Sequence, residues 1–124
     1  MPGIRRRQTF DPAPSSARSA RRFVAGVLQE AGFSGDVDTV LLLVSEVVTN
    51  AVRHAGSELT VLVELVDDEV TVTVADESDD VAMVKEPTTD ATTGRGMFIV
   101  EQLATRWGLR PTPGGGKAVW FSCC

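Results

Sequence analysis

The stretch from Glu58 to Ala75 constrains the fold more than any other part of this chain. LTVLVELV and EVTVTVAD both alternate apolar with polar positions and are rich in β-branched residues. That pattern predicts two strands, 58–66 and 69–75, each with one buried face. Asp67-Asp68 between them reads as a hairpin turn. A two-stranded hairpin is marginal in water, so an apolar element must cover it. The cover is supplied upstream. Val37, Val40, Leu41, Val44, Val47, Val48, Ala51 and Val52 recur with a helical period. They predict a largely buried helix from about Asp36 to about Ala55, stopped by Gly56. A preceding helix, capped by Ser15 or Ser16 and reaching about Ala31, presents Ala20, Phe23, Val24, Val27 and Leu28 on one face. Gly32–Gly35 ends it.

The remaining segments complete the order. IRRRQTF at 4–10 reads as a short edge strand, and Asp11 to Ser16 as a loop broken by Pro12 and Pro14. Residues 76–93 lack periodicity and carry six Asp or Glu. That is an irregular loop of a length usually kept for function or mobility. A third helix is expected from near Gly94–Gly96 to about Trp107. A closing hairpin, 108–112 and 117–122, follows around Pro113 and Gly114–Gly116. The order β-α-α-β-β-loop-α-β-β predicts an α+β fold, a two-layer sandwich with helices on one sheet face. At 124 residues the chain is expected to be a single domain, 1–124.

Charge is split along the chain. Residues 1–30 hold six Arg against two acids, and residues 31–124 hold six basic against fifteen acidic residues, giving −5 in total. The acidic body argues against general nucleic-acid binding. Arg5–Arg7 is open to two readings, a solvated edge strand or a contact for an acidic partner. The longest apolar run, VLLLV at 40–44, is far short of a membrane span of ~20 residues. No apolar segment follows the basic N-terminus, so a cytoplasmic location without membrane association is expected. The two cysteines, Cys123 and Cys124, are the last residues. They read as thiols in a reducing compartment on a frayed tail, with no catalytic part.

Three places could carry chemistry. Glu46, Asn50 and His54 lie four residues apart and form one stripe along the second helix, flanked by Arg53. A carboxylate and an amide oxygen one turn apart suit a hard cation such as Mg²⁺, or an activated water. The same stripe would also serve as the solvated face of an amphipathic helix. Asp76 ends an apolar strand, where a carboxylate can accept from the exocyclic amine of a base or simply terminate the strand. In TTGRGMFIVEQLA (92–104), Gly94 and Gly96 let backbone approach an anion at a helix start, and Arg95 adds a charge for phosphate oxygens.

The order of these signals resembles the GHKL ATPase superfamily, which includes gyrase B and sensor histidine kinases. SEVVTNAVRHAG (45–56) resembles its N box, VTVTVADES (70–78) its first glycine box, and TTGRGMFIVEQLA its second. The short compass and the closing WGLRPTPGGGKAVWF are most similar to RsbW-type anti-sigma-factor serine/threonine kinases of actinobacteria. The resemblance implies a Bergerat-type ATP-binding fold with a mixed, mostly antiparallel sheet under helices on one face. It implies ATP and Mg²⁺ as cofactors, with Asn50 binding the Mg²⁺ and Glu46 acting as catalytic general base. It further implies that His54 lines the phosphate side or simply closes the helix, that Asp76 reads the adenine amine, and that Gly94, Arg95 and Gly96 hold the phosphates beneath a lid at 81–93. Implied partners are a sigma factor, an anti-anti-sigma-like antagonist, or both, and a second copy in a homodimer. The alternative is a non-enzymatic partner-binding module of the same fold with weak or no turnover. One departure favours that alternative. The family's glycines after the aspartate are replaced here by Glu77, Ser78, Asp79 and Asp80, which removes backbone freedom and adds carboxylates beside a triphosphate. A detached histidine-kinase domain does not fit, since His54 is the one histidine and lies inside the helix of the first motif.

Overall fold

The turn at Asp67-Asp68 sets the geometry of the sheet. Both residues adopt positive φ, 52° and 63°, the pattern of a type I′ turn, whose twist matches that of the strands it joins. The computed structural model describes residues 3–55, 57–76, 99–111 and 116–123. Its elements run β1 (Ile4–Phe10), α1 (Ser16–Ala31), α2 (Val37–Ala55), β2 (Leu59–Val66), β3 (Glu69–Asp76), β4 (Arg106–Pro111) and β5 (Lys117–Cys123). Residues 99–103, between β3 and β4, are helical. The sheet order is β1-β2-β3-β5-β4. The expected α+β sandwich forms, and its sheet is antiparallel at all four described pairings.

Register decides which face is buried. Leu59, Val61, Val63 and Leu65 of β2 stand opposite Asp76, Val74, Val72 and Val70 of β3. These in turn face Lys117, Val119, Phe121 and Cys123 of β5. This face packs beneath α1 and α2, and Val24, Leu28, Leu43, Val44, Val47 and Val48 from the helices complete the core. On the opposite face Gly108 lies across from Trp120. A Cβ at 108 would sit 2.8 Å from the indole Nε1, so any larger residue there would have to displace the Trp120 ring.

Local chemistry fixes the helix ends. Ser15 occupies the N-cap of α1 without a capping bond from its side chain, and Ser16 instead donates its hydroxyl to the Asp11 carbonyl. At the other end Gly32 is left-handed (φ 69°). Its amide donates to the Gln29 carbonyl and the Phe33 amide to that of Leu28, a Schellman ending. The Asp36 carboxylate starts α2, accepting from the Thr39 amide (3.1 Å) and the Thr39 hydroxyl (2.7 Å). These bonds, the hydroxyl's first, hold the Asp36 carboxyl below its ordinary value. Gly56, the expected stop of α2, lies outside the described residues. Among the described residues no helix is long and apolar enough to cross a membrane.

Two boundaries differ from expectation. The third helix was expected to reach Trp107, yet helical residues end at 103 and β4 starts at Arg106. β5 needs a partner on that side. Trp107 pairs with Phe121, and the Thr105 amide donates to the Ser122 carbonyl at 2.8 Å. Trp107 still packs its ring on the core from the strand. Cys123, expected in a frayed tail, is fully buried and pairs with Val70. Its neighbour β3 is a central strand, and the ladder holds the chain through residue 123. Cys124, residues 77–93 of the expected irregular loop and residues 113–115 of the expected hairpin tip lie outside the described residues.

Because Cys123 is core, Cys123→Ser should lower stability by ~1–3 kcal/mol, the cost of a hydroxyl in an apolar site. An unchanged denaturant midpoint would show that the side chain is not held there. Asp36 gives a pH signature. Its folded-state pKa is lowered from 3.8, so the stability it adds is whole above the unfolded-state value and is lost as pH falls through the lower folded one. The Tm difference between wild type and Asp36→Asn should therefore shrink on acidification below pH ~4.

Candidate functional site

α2 enters β2 within three residues, and Leu59 at the start of β2 pairs with Asp76 at the end of β3. The C-terminal turns of α2, the end of β3 and the start of β5 therefore meet at one end of the sandwich. Three of the buried polar residues, Asn50, Asp76 and Lys117, belong to the elements that meet here.

Asn50 is 8% exposed. Its Oδ1 has no hydrogen-bond partner among the described residues. A buried amide oxygen left in this way carries a desolvation cost, which a ligand donor or cation would relieve. Its burial does not agree with the solvated-face alternative. Glu46, one turn earlier, is half-buried. Beside it the Ser45 hydroxyl accepts a 2.6 Å hydrogen bond from Arg21 Nη1, so α1 places a guanidinium at this turn. Arg53 is exposed. His54 continues the backbone of α2, and its side chain lies outside the described residues. So do Gly94, Arg95 and Gly96, the segment 81–93, and Glu77 to Asp80.

Asp76 follows Val70, Val72 and Val74 on the helix-covered face and is buried. Directly across the ladder stands Lys117, whose Nζ lies 3.5 Å from Asp76 Oδ2, with the two side chains 6% and 4% exposed. The Lys117 ammonium has no hydrogen-bond partner among the described residues. The sequence reading did not single out Lys117. A signal was present: Lys117 shares the inward alternation of Val119 and Phe121, where a charge is rarely placed without a partner.

Chemically, the α2 turn offers a proton acceptor and a hard amide oxygen on one stripe. Mg²⁺ is commonly held by one or two protein oxygens together with phosphates and water, and Asn50 Oδ1 is an oxygen of that kind, without a hydrogen-bond partner among the described residues. Asp76 and Lys117 offer an acceptor and a donor side by side.

The family model of the histidine kinase-like ATPase domain matches residues 10–123, from the end of β1 through the end of β5. The chain belongs to this family. Among solved structures, this histidine kinase-like ATPase domain is similar to the RsbU and RsbW domains of Rv1364c from Mycobacterium tuberculosis, with a TM-score of 0.69 at 21% identity. That match covers 99% of this chain and 32% of the other, so the chain spans about a third of that structure's length. No curated protein matches the chain.

The buried pair makes a stability prediction. Removing one partner of a buried ion pair strands the other charge at a cost of ~3–5 kcal/mol. Lys117→Met should be destabilised on that scale, and the double variant Asp76→Asn/Lys117→Met should recover most of the loss. Additive losses in the double-variant cycle would show that the two groups do not interact.

Proposed function

We propose that this chain is an ATP-binding regulatory protein acting as an anti-sigma-factor-like serine/threonine kinase, which phosphorylates a protein antagonist using Mg-ATP. Membership of the histidine kinase-like ATPase family supports the nucleotide, and the likeness to a structure that includes an RsbW domain supports the regulatory class. The observation that carries the reading is Asn50, a buried amide oxygen with no hydrogen-bond partner among the described residues, one helical turn after Glu46.

In this reading bound Mg-ATP supplies the phosphoryl group and the cation that offsets its charge. Asn50 Oδ1 holds the metal. Glu46 accepts the proton of the attacking serine hydroxyl, and its half-buried position is the kind of place where a base stays reachable by a protein substrate. Asp76 accepts from the adenine amine. His54 lines the phosphate side, and Gly94, Arg95 and Gly96 hold the phosphates. Phosphoryl transfer asks the protein mainly for positioning, a cation and a base, and these residues cover those needs. The partners are a sigma factor, an anti-anti-sigma-like antagonist, or both, with a second copy of the chain in a homodimer. The site of action is the cytoplasm, in regulation of transcription.

A second reading, a partner-binding module with weak or no turnover, is favoured by one feature. Glu77, Asp79 and Asp80 follow Asp76 and would repel a triphosphate that no cation screens.

Two variants separate the readings. Asn50→Ala should weaken Mg-ATP binding at least tenfold in calorimetry while the thermal transition stays cooperative. Glu46→Gln should bind Mg-ATP as wild type does and lose ~10²–10⁴-fold in phosphorylation of the protein partner. Equal Mg-ATP affinity in wild type and Asn50→Ala removes the metal role. A wild-type rate in Glu46→Gln removes the base. Tight partner binding by wild type, with no phosphorylation, selects the second reading.

A further inference from the structure

A lysine ammonium carries three N–H donors and no acceptor. Lys117 holds its ammonium in the interior, 6% exposed, 3.5 Å from a carboxylate oxygen yet without a hydrogen bond among the described residues. Buried charges depend on good hydrogen-bond geometry to offset desolvation, and among the described residues the donors of the Lys117 ammonium are not taken up. The carboxylate of Asp76 has two oxygens able to accept several bonds. Backbone register fixes the two side chains next to each other on one face, at the end of the core where α2 brings Asn50. Both conditions describe a site that offers an acceptor and a charged donor to one edge of a flat ligand.

We propose that Lys117 is a specificity-determining residue that reads the nucleotide base together with Asp76. The inference rests on the nucleotide reading above. The edge it recognises carries an N–H donor beside a ring-nitrogen acceptor. Adenine has such an edge: its exocyclic amine donates to Asp76, and a ring nitrogen next to that amine accepts from Lys117. Guanine and hypoxanthine carry a carbonyl oxygen in place of the amine, so in the same placement an acceptor meets the carboxylate. If the nitrogen read is N1, their ring N–H also meets the ammonium, a second mismatch; N7 stays an acceptor in all three bases. With Asp76 as sole reader the site would sense the amine; with Lys117 it also senses the ring nitrogen and the sequence of the two groups.

Calorimetry with atom-deleted nucleotides tests this on the wild-type chain. In Mg²⁺ buffer, affinities are measured for ATP, ITP, 1-deaza-ATP and 7-deaza-ATP, each deaza analogue lacking one ring nitrogen beside the amine. One of the two should bind about 10- to 100-fold more weakly than ATP, the scale of a hydrogen bond to a charged group, and ITP should be weaker still. Lys117→Met should bind ATP and that analogue alike. The loss on deletion is read on wild type, so it does not depend on how well the variant folds. ATP binding with no loss on either deaza analogue overturns the Lys117 role and leaves the nucleotide reading standing. Tighter ATP binding by Lys117→Met also overturns it, because Lys117 would then plug the pocket. No binding of any adenine nucleotide overturns both.

Discussion

The structure depends on β3 being hydrogen-bonded on both sides with one face under the helices. A strand in that place presents alternate residues to the core, and a slip of one position would exchange its two faces. Val70, Val72 and Val74 fill the inward positions, opposite Val63 and Val61 on one side and Phe121 and Val119 on the other. The close-packed valines and Phe121 give the helices a surface to cover, and α2 answers with Val40, Val44, Val47 and Val48. The type I′ turn at Asp67-Asp68 holds the register of β2 against β3, and the ladder to β5 carries it to the last described residue.

The same alternation places a charge where the apolar run ends. The fourth inward position of β3 is Asp76, and the residue facing it across the ladder is Lys117. Ions at the end of a core cost desolvation that a pair of valines would not. Asn50 adds a buried polar atom without a partner among the described residues. Two of the three buried polar atoms left without a hydrogen-bond partner among the described residues, Asn50 Oδ1 and Lys117 Nζ, thus sit on elements that meet at one end of the sandwich. That distribution is characteristic of sites that bind something, since a ligand supplies the missing bonds.

The outer edge is handled differently. β1 carries Arg5, Arg6 and Arg7 in the open, with Arg6 paired to Glu30 of α1 at 2.6 Å and Arg5 near Glu64 of β2 at 3.7 Å. Charged side chains along an edge strand discourage pairing with other chains, which agrees with the solvated-edge reading of that run. These exposed pairs add little stability.

By itself the sequence determined the periodic elements. Alternation at 59–76 and the helical period at 37–55 are local patterns, and they named the strands, the turn, the long helix and the residues of the core. The stripe Glu46–Asn50 and the strand-end Asp76 were legible as candidates too, because spacing along one element is written in order. Partnership across elements was not. That Asn50 is buried rather than solvated depends on what covers α2. Trp107 belongs to β4 and not to a helix because β5 has an edge to satisfy, and Cys123 is core because the ladder reaches it. Lys117 stands against Asp76 only through the register of β3 with β5, a contact between residues 41 positions apart. Tertiary pairing decides such contacts because the free energy that fixes them, shared backbone hydrogen bonds and exclusion of water, exists only once distant strands have met.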